Sequence, residues 1–247
     1  MKILGIIPAR YASTRFPGKP LVDIGGKTMI RRVYEQACKA TKLTDVVVAT
    51  DEQRIYDEIT RHGGKAVMTR SDHMNGTERC GEVMQQAEIT YDYAINIQGD
   101  EPFIHPEMID QLAAILDGTT QLGTLVKKVD DVAILDNPNA IKVVFSKEMQ
   151  ALYFSRSCIP FLRGKAPGER LAAHEYYKHI GIYAYRADVL KEITKLPAGL
   201  LEATESLEQL RWLENGYQIN VAITPHESQG IDAPEDLEKI QKLLEHE

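Results

Sequence analysis

Ile3-Leu4-Gly5-Ile6-Ile7 runs without a break into Pro8-Ala9-Arg10-Tyr11-Ala12-Ser13-Thr14-Arg15-Phe16-Pro17-Gly18-Lys19-Pro20. The first five residues form a short apolar run of the kind needed by a strand buried on both faces, which is the habit of parallel sheets covered by helices. The loop that follows carries two Arg, a Lys, two aliphatic hydroxyls and a Gly. In open α/β sheets ligands bind beyond the carboxyl ends of the strands, so cations placed there meet a ligand, and an anion such as a triphosphate suits them. A solvated basic turn is the competing reading of the same residues.

The pattern repeats outward from this start. Val46 to Thr50, Lys65 to Met68 and Tyr93 to Ile97 are further apolar runs. Between them, Thr28 to Ala40 sets Met29, Ile30, Val33 and Ala37 near one helical face, and Glu52 to His62 stops at Gly63-Gly64. Strands alternating with helical periods are βαβ units, so the spacing predicts an α/β fold with a mostly parallel central sheet and helices on both faces. After Pro106 a helix is expected to about Leu116. The character then changes to Gly123 to Val129, Ile141 to Phe145, Ala151 to Phe154 and Tyr176 to Tyr185, shorter runs that read as an antiparallel lobe within about 120–185. Arg163 to Glu175 is a polar Gly/Pro-containing loop long enough to close over a ligand. A helix through Glu205 to Asn215, a strand at Gln218 to Thr224 and an amphipathic helix from Ala233 to Glu245 finish the chain. We expect one domain over residues 1–247.

Composition narrows the function. A net charge of -7, with the 29 Lys and Arg spread along the chain, argues against a nucleic-acid surface. The opening apolar residues stop at Pro8 and Arg10, short of a signal h-region or the ~20 residues of a membrane span, so no membrane partner and a cytoplasmic location are expected. Cys38, Cys80 and Cys158 lack C-x-x-C spacing and read as reduced and inert. Asn75-Gly76-Thr77 matches a glycosylation sequon but is read as turn chemistry.

Gly26-Lys27-Thr28 resembles the end of a Walker A loop, yet the earlier glycine falls on Leu21, and no G-x-G-x-x-G follows the first strand. Gln98-Gly99-Asp100-Glu101-Pro102 releases an acid beside a flexible glycine just past a buried strand, a place from which a carboxylate can bind a hard cation, or simply form a turn. In Gly230-Ile231-Asp232-Ala233-Pro234-Glu235, Asp232 reads locally as the N-cap of the last helix.

P-A-R-Y-A-S-T-R-F-P-G-K-P-L from Pro8, A-T-D from Ala49, G-T-E-R from Gly76 and Q-G-D-E-P from Gln98 together resemble the sugar nucleotidyltransferases that make CMP-activated 2-keto acids. The resemblance is strongest to the CMP-Kdo synthetase (3-deoxy-manno-octulosonate cytidylyltransferase) family. N-A-I-K-V-V from Asn139, A-L-Y-F-S-R from Ala151, H-I-G-I-Y from His179, L-E-Q-L-R from Leu207 and Gly230 to Asp232 extend it over nearly the whole chain in order.

This resemblance implies a homodimer of glycosyltransferase-A-like fold that moves cytidylate from CTP to Kdo and releases pyrophosphate, its product feeding lipopolysaccharide synthesis. It implies catalytic roles for Arg10, Lys19, Asp100 and Asp232. Pro8, Ala9, Arg10, Arg15, Lys19, Ser71, Gly76, Thr77 and Gln98 would bind the nucleotide. Gln98, Arg156, His179, Tyr183, Glu208 and Gln209 would hold the sugar. Asp100 and Asp232 would ligate Mg2+, with two ions per site, which moves Asp232 from cap alone to cap and ligand. Arg156 also reads as a dimer salt-bridge residue, and His179 as a hydrogen-bonded strand histidine. Asn75 departs from the Ser usual before G-T in the family. Alternatives are an 8-amino-Kdo or sialic acid cytidylyltransferase, an inactive nucleotide-binding protein and, more remotely, a dehydrogenase.

Overall fold

Six of the seven residues of strand β1 (Ile3–Ala9) are buried, with Ile6 and Ile7 fully so, which is what a strand covered on both faces shows. Each such isoleucine contributes roughly 1.5–3 kcal/mol by leaving water. The computed structural model describes residues 1–12, 16–227, 230, 231, 233 and 235–237. Their contacts gather into two compact units, Met1–Ala113 with Ser228–Glu247, and Ala114–Glu227.

In the first unit, β1 leads through a small hairpin of β2 (Asp23–Ile24) and β3 (Lys27–Thr28) to helix α1 (Met29–Ala37). The Walker-like Gly26-Lys27-Thr28 is therefore a hairpin turn and edge rather than a phosphate loop. Then come β4 (Asp45–Thr50), α2 (Gln53–Arg61), β5 (Ala66–Met68), α3 (Gly76–Gln86), β6 (Tyr93–Asn96) and α4 (Pro106–Ala114). The four long strands are all parallel, in the order β6-β1-β4-β5. The chain moves one way from β1 to β4 to β5, then jumps back across β1 to lay down β6. Right-handed crossovers in opposite directions put α3 on the face opposite α1 and α2, and make the β1–β6 junction the switch point of the sheet.

Helix α3 is absent from the expectations above. Its polar residues and two glycines blur the 3.6 period, and Asn75 proves to be its N-cap, the side chain accepting from Glu78 N at 2.9 Å. The supposed turn at 75–77 is a helix start.

In the second unit, β7 (Leu122–Lys128), α5 (Val132–Asp136), β8 (Lys142–Phe145), β9 (Ala151–Ser155), α6 (Arg170–Ala173), β10 (Tyr177–Arg186), α7 (Ala187–Ile193), α8 (Leu200–Glu205), α9 (Gln209–Glu214) and β11 (Ile219–Ile223) follow. β7 and β10 are antiparallel, β8 pairs antiparallel with both β9 and β10, and β11 adds to β7 in parallel. The antiparallel expectation for the lobe holds, with β11 as its one parallel neighbour among the described strands. The polar stretch 163–175 is not a bare loop: it contains α6, where Arg170 forks onto Asp136 at 3.0 and 2.7 Å and Leu171 packs against Val129, Leu135 and Tyr176. The helix expected over 205–215 is present as α9 but starts at Gln209, because Glu205 is the last residue of the preceding α8. Ser206 sits in the left-handed region at φ 53° and Leu207 N closes on Glu202 O, a C-cap that ends α8. Of the final helix, only 235–237 are described, and they are helical.

Candidate active site

Residues read from the sequence as nucleotide ligands lie around the carboxyl end of β1, and glycines explain how. A Cβ on Gly99 would stand 2.5 Å from the Pro8 carbonyl oxygen, and one on Gly76 3.4 Å from Pro8 Cγ and 3.2 Å from the Asn96 amide. Gly99 has no room for a side chain and Gly76 leaves little, which lets Q-G-D-E-P and the start of α3 close on P-A-R from two sides. Thr77 is buried next to Gly76, Gln98 stands just beyond β6, and Ser71 lies exposed on the segment between β5 and α3. That segment is anchored where Glu82 accepts from Arg70 N at 3.0 Å and meets the buried ring of His73.

The first loop is folded on itself. Gly18, at φ 73°, donates its N–H to the Tyr11 carbonyl at 3.0 Å, and the Tyr11 ring carries the Arg54 guanidinium 3.7 Å from its centroid. Phe16 anchors the far side in an apolar cluster with Ile24, Met29 and Ile231. This brings Lys19 to Asp100: Lys19 Nζ donates to Asp100 Oδ2 at 2.9 Å and to the Ile231 carbonyl at 2.8 Å, while Ile231 N donates to the Asp100 carbonyl at 2.9 Å. A loop after β1, a loop after β6 and a segment from the end of the chain are thus clasped together. Arg15 and Asp232 lie outside the described residues. The groups presented here, the Asp100 carboxylate and main-chain carbonyls, are all oxygen, the donor set a hard divalent cation takes.

Of the residues read as sugar ligands, all but Gln98 lie in the second unit. The pairing of β10 with β7 slips between Ile180 and Tyr183, a bulge that re-aims side chains and lets His179 and Tyr183 meet, ring centroids 5.1 Å apart. His179 Nε2 lies 3.0 Å from Thr124 Oγ1, and its ring stands edge-on to Phe154. Withdrawal from water pulls the His179 pKa down to about 3, so the imidazole is neutral at ordinary pH. Burial pushes the Tyr183 phenol well up, with Tyr185 and Glu208 adding to the shift. Tyr183 packs edge-on against Trp212 of α9, whose first residue is Gln209. The Tyr183 hydroxyl and Gln209 Nε2 are both buried and find no hydrogen-bond partner among the described residues. Native proteins rarely leave such groups unpaired without reason.

Arg156, just past β9, is committed differently. Its guanidinium donates to the carbonyls of Glu205 (2.6 Å), Pro138 (2.9 Å) and Ser206 (3.2 Å). The Glu205 carboxylate accepts from Ser155 Oγ at 2.6 Å and from Arg156 N at 3.0 Å, and fully buried Lys142 donates to the carbonyls of Asn137 and Arg156. Arg156 is a clasp between loops. Glu205 and Lys142 escaped notice in the sequence; the signal was a Lys inside the apolar run Ile141 to Phe145. All three cysteines are free. No helix among the described residues is long and apolar enough to cross a membrane.

Comparison with known proteins agrees with this geometry. The cytidylyltransferase family model matches residues 4–223. The 3-deoxy-manno-octulosonate cytidylyltransferase of Parabacteroides distasonis is 58% identical, with 99% of this chain and 98% of that protein covered. That of Bacteroides thetaiotaomicron is 54% identical over 100% and 99%. Among solved structures, a CMP:2-keto-3-deoxy-manno-octonic acid synthetase complexed with CTP superposes with a TM-score of 0.92 at 42% identity, covering 100% of this chain and 99% of that one. A 4-diphosphocytidyl-2C-methyl-D-erythritol synthase from Anaerococcus prevotii shares the fold at a TM-score of 0.63 and 12% identity, over 99% of this chain and 96% of that one. The chain therefore belongs to the cytidylyltransferase family, among the 3-deoxy-manno-octulosonate cytidylyltransferases.

Proposed function

We propose that this chain transfers the cytidylyl group of CTP to the anomeric hydroxyl of 3-deoxy-D-manno-octulosonate, releasing pyrophosphate and giving CMP-Kdo for lipopolysaccharide synthesis. The observation that carries the reading is the Lys19–Asp100 clasp at the β1–β6 switch point, in a chain so close to a synthetase solved with CTP. In this reading Lys19, Arg10 and Arg15 grip the triphosphate, and main-chain groups of Pro8 and Ala9 meet the cytosine. Ser71, Gly76, Thr77 and Gln98 line the nucleotide pocket. The Tyr183 hydroxyl and Gln209 Nε2, both without a partner among the described residues, with neutral His179 and Glu208, supply hydrogen bonds to a polyhydroxy acid, and Gln98 is carried over as a further sugar ligand.

Nucleotidyl transfer needs the sugar hydroxyl held in line with the α-phosphate while negative charge grows on the phosphate oxygens. Lys19 and Arg10 offset that charge. Asp100 and Asp232 would hold Mg2+, a hard cation that neutralises phosphate charge and lowers the proton affinity of the attacking hydroxyl. A second ion on the triphosphate, a single catalytic domain and a cytoplasmic location, where CTP is at hand, complete the proposal. The family resemblance further suggests a homodimer.

Purified protein incubated with CTP, Mg2+ and Kdo should release pyrophosphate only when all three are present. Competing 8-amino-Kdo and sialic acid should react poorly. Pyrophosphate release independent of sugar would overturn the reading.

A further inference from the structure

Asp51 of A-T-D and Arg79 of G-T-E-R have no part in the roles above, and the fold brings these two charged ends together. In the parallel pair β1–β4, Ala9 stands opposite Thr50. Arg10 and Asp51 are the next residues of the two strands and leave the sheet side by side, at a strand spacing of about 4.8 Å. Arg79, one turn into α3, is wholly buried, and its Nη2 lies 3.3 Å from Asp51 Oδ1. Its Nη1 donates to Thr69 Oγ1 in a tight bond.

The cluster is incompletely satisfied. Arg10 Nη2, Asp51 Oδ1, and Arg79 Nε and Nη2 are all buried, and none has a hydrogen bond of good geometry among the described residues. A guanidinium buried without full compensation costs several kcal/mol, and natural chains retain such groups at functional sites more than elsewhere. Arg79 alone pairs with Asp51, and Arg10, close enough for its charge to act on Arg79, keeps Nη2 unmet among the described residues at the carboxyl end of β1. Burial lowers the Arg79 pKa most, Asp51 and Glu82 oppose this, and Arg10 lowers it further.

Arg79 is inaccessible and cannot touch a ligand. We propose that Asp51 and Arg79 are a positioning pair, Asp51 orienting the Arg10 guanidinium toward an incoming polyphosphate and Arg79 holding Asp51 from behind. The unmet Arg10 Nη2 donor is the driving force, satisfied when the anionic phosphates arrive. The inference rests on the reading that Arg10 contacts the phosphates of CTP.

A double-mutant cycle on CTP affinity, measured by calorimetry on the full chain, tests it. Asp51→Asn is the first variant, since Asp51 is partly exposed and the exchange is isosteric; Arg79→Lys, which keeps the charge but loses the fork, is the second. Each is expected to weaken CTP binding about tenfold while the melting temperature moves little. In an Arg10→Ala background both should add almost nothing. Additive losses, or a lower melting temperature with unchanged CTP affinity in both variants, would overturn the pair. Failure of the functional reading is separable, because the wild-type chain would then bind no CTP.

Discussion

Lys19 and Asp100, 81 positions apart, meet through Nζ and Oδ2 at 2.9 Å, with 14% and 33% of their side chains exposed. The pair is buried enough to be oriented and open enough for a charged ligand to compete. A cation delivered by the loop after β1 and a carboxylate delivered by the loop after β6 neutralise one another at the switch point of the sheet. Phosphate groups and a divalent cation can each take one partner.

Asp100→Asn keeps the shape of that carboxylate and removes its charge. Turnover should fall at least ~100-fold, the typical worth of a charge-stabilising group, while CTP affinity by calorimetry stays within a few-fold of wild type. Near-normal turnover would remove Asp100 from the chemistry.

Lys19→Ala should do the reverse in emphasis. A charge-assisted hydrogen bond contributes about 1.5–3 kcal/mol, so CTP binding should weaken on the order of tenfold to a hundredfold. Unchanged CTP affinity would mean that Lys19 serves only the clasp with Asp100 and Ile231.

Gly99→Ala places a methyl 2.5 Å from the Pro8 carbonyl, a main-chain oxygen that cannot swing aside. Overpacking of this kind costs about 1–3 kcal/mol, so the melting temperature should drop and CTP binding should suffer with it. A variant as stable as wild type would show that the β1–β6 junction yields more easily than its geometry indicates.

Glu205→Gln keeps the volume but weakens the acceptors for Ser155 Oγ and Arg156 N. Stability should fall by about 1–3 kcal/mol. Because the disturbance reaches α9 through Ser206, KM for the sugar should rise while KM for CTP holds. Equal rises in both would place the damage in the fold as a whole.

His179 gives a pH test. Its folded pKa, about 3, lies below the usual value of 6.5, so the unfolded chain binds the extra proton first. This residue therefore costs stability as pH falls from 6.5 toward 3 and contributes no slope above 6.5. Replacing it, as in His179→Gln, should flatten the acid limb of a denaturation series across that window and leave the limb at pH 7–8 unaltered. An undiminished acid slope would show that the ring is not held neutral.

The parallel half of the fold was legible because its signals are local. Ile3 to Ile7 had to be buried on both faces, Gly63-Gly64 had to stop a helix, and cations after one strand with an acid after another had to face the same crevice. Helix α3 was missed because its glycines and polar residues carry no clear period and Asn75 looked like a turn residue. The break at Ser206 was missed because a left-handed serine is chosen by the tertiary contacts around it rather than by its own preference.

By itself the sequence determined the α/β class, the βαβ path through β5 with β6 as a further strand, and the placement of Lys19 and Asp100 at strand ends. Periodicity and strand-end position are properties of neighbouring residues. Only the tertiary structure decided that Arg156 is spent on three carbonyls, that a bulge turns His179 and Tyr183 toward each other, and that Arg79 lies buried behind Asp51. Those depend on which residues, dozens of positions apart, meet out of water, where the pairing of each charge and hydrogen-bonding group is set by the packing around it.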